Sequence, residues 1–457
     1  MKLFYKTAFT ALLACLFSFF AARATAQTFD DGYERRAQEV IAGLSRINGL
    51  KGFAPGTPAL WPQPGAGADS RKPGNPAGAG WSVETPYRLL SLALPGQNLQ
   101  RAADLSGLGS LEQLDLTGNS LKAVNLNGNK SLKSIKAADN QLASINLSSS
   151  PGLLVLALSK NKLTYLDLSA NPLLTDLTVS ANHLESIDLS RQPALRRFEA
   201  LNNELQALTV RTNPDLEMLA VSYNRLTALD VSANSNLNAL GAKDNGLTEL
   251  VLFNNPLLED LAVSRNSLTS LELGRNPRIK RLAADQNRLA SLDISVLGNL
   301  EVLELQNNPS LREIVSGENE FAGLVNLNLD GCALPLSQLV HLTGLAQRRG
   351  RLGTQENVLF ERLEMKTGEV LDLEKEAVIN GSATEFMVLT DKKRRVNPAG
   401  YSLEGGRLVF KNPGLYMVVM TNEKVFSSEI TLSSGRSRTY KTKVYTGVIE
   451  VKAEENS

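Results

Sequence analysis

Apolar and polar positions in the middle of the chain follow one pattern that restarts every 21 residues. Residues 111–131 read LEQLDLTGNSLKAVNLNGNKS, and the pattern restarts at Leu132, Leu153, Leu174, Leu195, Leu216, Leu237, Leu258 and Ile279. A slightly longer copy starts at Leu300, another starts at Leu324, and an irregular copy precedes them all near Leu89. Near the start of each copy, inward apolar positions alternate with outward ones, which predicts a short β-strand.

A single copy cannot bury its aliphatic side chains, whereas stacked copies form one continuous core. The copy that starts at Leu153 reads LLVLALSKNKLTYLDLSANPL and fits the pattern LxxLxLxxNxL. Each fully buried aliphatic side chain stabilises the fold by roughly 1.5–3 kcal/mol before chain ordering is subtracted. The period and the pattern predict a leucine-rich repeat solenoid over residues 87–335, with a parallel β-sheet and about 11–12 turns.

An asparagine stands at the ninth position of each regular turn, and we interpret this column as a structural ladder. A buried amide carries two donors and an acceptor, so it can satisfy backbone groups of adjacent turns. A turn preference would explain one such residue but not the constant spacing, and a structural corner disfavours a glycan or metal site. The predicted ladder is Asn119, Asn140, Asn161, Asn182, Asn203, Asn224, Asn245, Asn266, Asn287 and Asn308. A second column, often followed by proline, is Asn129, Asn171, Asn213, Asn234, Asn255 and Asn276.

The first 26 residues have the pattern of a secretory signal peptide, which predicts export of the mature chain. A lipoprotein box that ends at Cys15 is the alternative, although the apolar run continues beyond that cysteine. Residues 27–52 predict a helical segment, and the Pro/Gly-rich residues 53–86 predict a linker and cap. The helix either covers the open end of the solenoid or packs on nothing. No later stretch is long and apolar enough to span a bilayer, so we expect a secreted or surface-held protein.

The repeat pattern stops after residue 335, and residues 336–355 predict a helix that caps the solenoid core. Residues 356–457 contain short β-rich runs separated by turn signals such as Asn380-Gly381 and Gly405-Gly406. This spacing predicts a small Ig-like β-sandwich. The basic run at residues 392–395 falls in a predicted loop, where it either contacts an acidic surface or forms a solvated hairpin tip.

The chain carries no recognisable motif for catalysis, for a cofactor or for a metal. It has no Gly-rich phosphate loop, no HExxH, no CxxC and no nucleophile elbow. His183 and His341 lie far apart, and Cys332 takes the asparagine position of its turn. We therefore predict no catalytic residue, no cofactor and no enzymatic activity. The formal net charge is only +1, whereas a strongly basic balance is typical of a nucleic-acid binder.

The side chains that point out of the predicted sheet are the candidate partner-binding surface. Tyr, Met and Arg are enriched in protein interfaces. A broad face of mixed charge suits a protein or glycan on a host or bacterial surface better than a small ligand. The candidate residues are Asp176, Arg197, Glu199, Met218, Tyr223, Asp260 and Arg281.

The signal segment, the turn LxxLxLxxNxLxxLDLSxNP and the appended β-domain together resemble internalin-J-like leucine-rich repeat surface proteins of bacteria. They resemble in particular forms in the Bacteroidetes group, such as that of an oral Porphyromonas. The resemblance implies adhesion, biofilm formation, host contact and virulence. That family often carries a column of cysteines, where this chain has Leu116, Ala137, Leu158, Val179, Ala200 and Val221, and this chain has no LPxTG wall anchor. In Bacteroidetes a terminal β-sandwich can serve as a type IX secretion signal, so lipid, type IX and free forms stay open.

These observations lead to three functional hypotheses. The first is an exported adhesin that binds macromolecular partners through the repeat sheet. The second is a structural matrix protein that self-associates. The third is a secreted effector enzyme, which would need a domain with a nucleophile, whereas the C-terminal domain has no cysteine and no histidine.

Overall fold

Each repeat places one short strand in a sheet, and the middle residue of that strand points into the core. In the strand Val155–Ala157, Leu156 is buried whereas its two neighbours are partly exposed on the outward face. Adjacent strands pair in parallel one turn apart, so that Leu156 pairs with Leu177. The same register in successive turns makes one continuous layer of leucines. The prediction of a leucine-rich repeat solenoid is confirmed, with about 11 turns and a period of about 21 residues.

The computed structural model describes residues 39–40, 78–81, 88–319, 321–336, 338–339, 342, 350–351, 354–379, 381–422, 426–431, 437–441 and 443–453. The predicted signal peptide lies outside these described residues, as do most of the predicted helical segment and linker. Within them, Glu39 and Val40 are helical. No helix in the described part of the chain is long and apolar enough to cross a bilayer. The chain divides into two units, Met1–Leu205 with Thr212–Asp215, and Gln206–Arg211 with Leu216–Ser457.

The first unit contains a sheet whose strand order is β1-β2-β4-β6-β7-β8-β9. A strand pair, β3-β5, is formed by the second half of two repeats, which we call the return side of the turns. Its strands are β1 (Gly78–Trp81), β2 (Leu89–Ala93), β3 (Gln100–Asp104), β4 (Gln113–Asp115), β5 (Ser120–Asn125), β6 (Ser134–Lys136), β7 (Val155–Ala157), β8 (Asp176–Thr178) and β9 (Arg197–Glu199). The strand β1 comes from the predicted linker and pairs antiparallel with β2. It therefore satisfies backbone groups that the edge of β2 would otherwise expose.

The second unit continues with strands of the same kind. They are β10 (Met218–Ala220), β11 (Ala228–Asp230), β12 (Ala239–Gly241), β13 (Glu249–Val251), β14 (Asp260–Ala262), β15 (Arg281–Ala283), β16 (Ser291–Asp293), β17 (Val302–Glu304), β18 (Glu313–Val315), β19 (Asn326–Asn328) and β20 (Gly350–Arg351). The sheet order is β10-β12-β14-β15-β17-β19-β20, while the pairs β11-β13 and β16-β18 lie on the return side.

The end of the solenoid differs from the predicted capping helix over residues 336–355. Residues 336, 338, 339 and 342 are helical, but Gly350–Arg351 form β20, which pairs in parallel with β19. The helix therefore does not extend to residue 355, because the exposed edge of β19 takes a further strand as its partner. The side chain of Gln355 is fully buried and receives a hydrogen bond from the N–H of Leu334 at 3.0 Å.

The C-terminal part of the second unit contains a five-stranded mixed sheet of order β21-β30-β27-β24-β23 and a three-stranded antiparallel sheet of order β22-β26-β25. The elements are β21 (Thr354–Lys366), β22 (Val370–Asp372), α1 (Glu374–Ala377), β23 (Val378–Ile379), β24 (Ser382–Thr390), a 3₁₀-helix (Pro398–Gly400), β25 (Tyr401–Glu404), β26 (Arg407–Phe410), β27 (Gly414–Asn422), β28 (Phe426–Thr431), β29 (Ser437–Lys441) and β30 (Lys443–Lys452). The rings of Phe410 on β26 and Tyr416 on β27 stack at 4.6 Å, which packs one sheet against the other. The region is compatible with the predicted sandwich.

The asparagine column joins successive turns within each unit. The side-chain oxygen of Asn161 accepts the N–H of Leu142 at 2.9 Å, and its Nδ2 donates to the carbonyls of Ala137 at 2.9 Å and Leu158 at 3.0 Å. The same contacts recur, for example, at Asn140, Asn182, Asn203, Asn266, Asn287 and Asn308. Asn119, Asn224 and Asn245 also donate to backbone carbonyls of their own turns. Each rung thus contacts its own turn, and Asn119 and Asn245 also contact the preceding turn, as Asn161 does.

A left-handed backbone conformation precedes the ladder residues. At nine of these corners a non-glycine residue has φ between 53° and 61°: Asp139, Lys160, Ala181, Asn202, Tyr223, Asp244, Arg265, Gln286 and Asn307. This conformation turns the chain so that the next residue points inward, and it is costly for a residue with a Cβ. The residue types in this column vary, so the sequence pattern contains no signal for it.

Candidate interaction surface

The outward face of the first unit carries three of the predicted partner-binding residues. Asp176 lies on β8, and Arg197 and Glu199 lie on β9, all partly exposed. The guanidinium of Arg197 forms an ion pair with the carboxylate of Asp176, which also accepts a hydrogen bond from the hydroxyl of Thr175 at 2.7 Å. Burial raises the pKa of Glu199, while the neighbouring Arg197 lowers it. The structure therefore pairs Asp176 with Arg197 and leaves Glu199, on the same strand as Arg197, as a half-buried carboxyl near that guanidinium.

The other four predicted residues lie in the second unit. Met218 is on β10, Tyr223 is at the corner that follows β10, Asp260 is on β14 and Arg281 is on β15. The Arg281 guanidinium donates to Asp260, with its Nη2 at 2.5 Å from Oδ2, and this hydrogen bond raises the pKa of Arg281. Tyr223 is 47% exposed and is the large apolar side chain of this corner.

Several charged residues at the margins of the same face were not predicted from the sequence. The ammonium of Lys243 lies 6.0 Å from the ring centre of Tyr223, and the Nε of Arg265 is 2.6 Å from Asp244 Oδ1. At the opposite margin of the same face, just before β14 and β15 begin, Lys280 is 2.8 Å from Glu259. The available signal was the occurrence of opposite charges 21 positions apart, which stacking makes adjacent.

Between these two margins lies a strip of small side chains, which we call the floor. Ala220, Gly241, Ala262 and Ala283 face outward from β10, β12, β14 and β15, and they are paired in register. At about 4.8 Å per strand, the floor is about 14 Å long. A Cβ added at Gly241 would lie no closer than 3.6 Å to another atom, the hydroxyl oxygen of Ser222, so the floor is not tightly filled.

The reactive side chains are poorly suited to catalysis. Cys332 is buried, its thiol lies 3.3 Å from the Leu305 carbonyl, and burial raises its pKa to about 12. At neutral pH it is therefore a thiol, not the nucleophilic thiolate. The imidazole of His183 is largely exposed and lies 3.4 Å from Glu204. Among the described residues, no group of His, Cys, Asp and Glu is placed to hold a metal ion.

Solved leucine-rich repeat proteins are similar to this chain in fold. The functional domain of InlJ from Listeria monocytogenes, which includes a cysteine ladder, is 21% identical to this chain. The TM-score is 0.49, over 80% of this chain and 91% of that chain. An internalin, inlF, from Listeria monocytogenes is 17% identical, with a TM-score of 0.41 over 70% of this chain and 89% of that chain. A leucine-rich repeat protein of Leptospira interrogans is 20% identical, with a TM-score of 0.37 over 55% of this chain and 90% of that chain.

No protein-family profile matches the chain, and no curated protein matches it. At these identities the similarity to solved structures concerns the fold alone. The positions where a cysteine column was considered in the sequence hold buried aliphatic residues, such as Leu158 and Val179. The described repeats therefore form a leucine-rich repeat solenoid in which aliphatic residues, not cysteines, fill this column.

Proposed function

We propose that this chain is an interaction protein that binds a protein partner on the outward face of its repeat sheet. The observation that carries the proposal is the floor of the second unit. It is made of small side chains and bordered by charges that are already paired, such as Asp260 with Arg281. Leucine-rich repeat solenoids are typically protein-binding scaffolds, and such extended surfaces are what they use.

The paired margins define the kind of contact that suits this face. Because each cation has a carboxylate beside it, the surface presents little net charge to a partner. Binding then depends on shape, on hydrogen bonds and on apolar contact at the floor, where Tyr223 offers a ring with a polar hydroxyl. A folded protein surface can supply all three kinds of contact at once.

We further propose that the protein is exported and acts in adhesion to a host or bacterial surface, with biofilm formation as the related outcome. This part depends on the signal-peptide pattern of residues 1–26 and on the resemblance to surface proteins, not on the geometry. A glycan partner and a self-associating matrix role are the alternatives that the same experiments separate. An effector enzyme has the least support, because Cys332 is buried and protonated.

The test places a large side chain on the floor and compares it with the same change elsewhere. Ala262→Arg should weaken the binding of the mature chain to immobilised host extracellular-matrix protein by about tenfold or more, because the guanidinium fills the space a partner would contact. Ala290→Arg is the matched control, since Ala290 is exposed on the return side of the turns. Both variants should unfold thermally as the wild type does.

Equal binding by the Ala262→Arg variant and the wild type would remove the floor from the interaction. Light scattering on the same samples addresses the matrix role. A mass that rises with concentration, and that Ala262→Arg suppresses, would assign the face to self-association instead.

A further inference from the structure

A second charged surface lies at the tip of a hairpin in the C-terminal domain. The segment Asp391–Arg395 follows β24, and every residue in it is exposed. It holds four cations and one carboxylate, so its formal charge is 4 − 1 = +3, whereas the whole chain carries only +1. We refer to Lys392, Lys393, Arg394 and Arg395 as the basic tip.

The tip is held in one conformation by backbone contacts. The N–H of Thr390 donates to the carbonyl of Arg394 at 2.8 Å, and the N–H of Lys393 donates back to the carbonyl of Thr390 at 2.9 Å. Lys393 has φ of 56°, the left-handed conformation that closes the turn. Val396 then rejoins β24 through its N–H, which donates to Val388 at 3.0 Å. The cations are therefore presented by an ordered loop, which lowers the entropy cost of binding.

Lys392, Arg394 and Arg395 differ from other cations of the same domain, because they form no ion pair within the part of the chain that the structure describes. Three other cations each pair with a carboxylate: Arg362 with Glu450, Arg407 with Glu374, and Lys452 with Glu364. At the tip, the ammonium of Lys393 lies 4.9 Å from the ring of Tyr445. No carboxylate among the described residues forms an ion pair with Lys392, Arg394 or Arg395.

We propose that the basic tip is a binding site for an anionic polysaccharide that carries sulfate groups. Guanidinium and ammonium groups bind such oxyanions through charge-assisted hydrogen bonds, and the planar guanidinium can do so with two donors at once. Consecutive sulfates on a linear chain can reach consecutive cations without any pocket.

Two other polyanions fit the tip less well. A membrane surface is normally held by apolar side chains inserted beside the basic residues, whereas residues 391–395 are all charged. A single-stranded nucleic acid is held largely by bases stacked on exposed aromatic rings. The ring that contacts the tip, that of Tyr445, is partly buried and lies beside Lys393. A sulfated glycan needs neither feature.

The experiment measures binding of the full mature chain to heparin as the probe, by calorimetry at low and at physiological salt. Lys392→Gln, Arg394→Gln and Arg395→Gln together should weaken heparin binding by about tenfold or more, because each site that neutralises an anion contributes through release of counterions. The matched control removes the same number of charges from paired positions, as Arg362→Gln, Arg407→Gln and Lys452→Gln, and should change binding by less than about twofold. A further variant, Arg394→Lys with Arg395→Lys, keeps the charge and should retain most of the binding.

Circular dichroism and thermal unfolding should show that the tip variants keep their fold, since the side chains concerned are exposed. An equal loss in the tip variant and the control would show that net charge alone governs binding, and this would overturn the proposal. Tip-dependent binding that is tighter to single-stranded RNA or to vesicles with anionic phospholipid than to heparin would overturn the assignment to a glycan.

Discussion

The backbone N–H of Leu163 donates to the side-chain oxygen of Asn182 at 3.0 Å, which joins one turn of the solenoid to the next. The amide nitrogen of Asn182 in turn donates to the carbonyls of Leu158 at 3.0 Å and Val179 at 2.9 Å. All of these groups are buried in the stack, where water cannot replace a lost partner. One side chain therefore satisfies backbone groups that belong to two turns.

We predict that Asn182→Ala destabilises the solenoid by roughly 1–3 kcal/mol, because it leaves a buried N–H and two buried carbonyls with fewer partners. The measurement is the free energy of unfolding from urea denaturation. Asn236→Ala is the matched control, since Asn236 is exposed, and it should change the free energy of unfolding by less than about 0.5 kcal/mol. Similar effects of the two substitutions would mean that the ladder is not what holds adjacent turns together.

Glycine at the corner before a rung should raise the free energy of unfolding. Ala181 has φ of 56°, a conformation that costs a residue with a Cβ roughly 1–2 kcal/mol. Glycine removes that cost but loses roughly 0.5–1 kcal/mol of backbone entropy on folding. Ala181→Gly should therefore raise the free energy of unfolding by about 0.5–1 kcal/mol. The control is Ala143→Gly, at an exposed position without positive φ, which should lower the free energy of unfolding; stabilisation by both would contradict the conformational explanation.

Much of the solenoid could be predicted from spacing alone. Buried positions such as Leu156 and ladder positions such as Asn161 recur at a fixed interval, and a constant interval leaves one way to stack the turns. The left-handed corner could not be predicted in this way. Its residues include alanine, tyrosine and arginine, because tertiary hydrogen bonds impose the conformation whatever the side chain.

The ends of the solenoid and the candidate surface were less predictable for a related reason. The helical pattern after residue 335 gives no sign that Gly350 will pair with β19, because that pairing depends on an edge that exists only after stacking. The candidate residues Asp176 and Arg197 could be named as outward-facing. Their ion pair was not predicted, although the two opposite charges stand 21 positions apart, which is the spacing that stacking makes adjacent.

The loop that joins β25 to β26 provides a paired test of backbone conformation in the C-terminal domain. Gly406 has φ of 89°, and a Cβ there would lie 2.8 Å from the carbonyl oxygen of Leu373. Its neighbour Gly405 has φ of 56° with nothing within 4 Å. Gly405→Ala should lower the free energy of unfolding by roughly 1–2 kcal/mol, which is the cost of a left-handed conformation for a residue with a Cβ. Gly406→Ala adds a steric clash with backbone, so it should cost at least about 1 kcal/mol more.

The thermal unfolding transition of the C-terminal domain, followed by calorimetry, measures both effects. Because the two substitutions are chemically identical and adjacent, differences in the unfolded chain nearly cancel between them. If Gly405→Ala were as damaging as Gly406→Ala, the close approach of Gly406 to Leu373 would not be the cause.

The return side of the turns should make the solenoid sensitive to acid. Hydrogen bonds from the side chain and backbone of Ser169 hold the pKa of Asp167 below its usual range, and the backbone and side chain of Ser190 do the same for Asp188. A carboxyl whose pKa is lower in the folded state stabilises the fold above its unfolded pKa, near 4. That stabilisation is lost as the pH falls through the lower, folded pKa.

We predict that Asp167→Asn with Asp188→Asn reduces the fall in melting temperature between pH 6 and pH 3, because the neutral amide keeps a hydrogen-bond acceptor and cannot titrate. The equivalent position of an earlier turn supports this substitution, since Asn146 accepts the N–H of Ser148 at 3.0 Å through its side-chain oxygen. In a parallel measurement, NMR titration of Asp167 should show its pKa rising toward the usual value in Ser169→Ala, which removes the hydroxyl donor. A double variant as acid-sensitive as the wild type, together with an unchanged pKa in Ser169→Ala, would show that these turns do not contribute to the acid response.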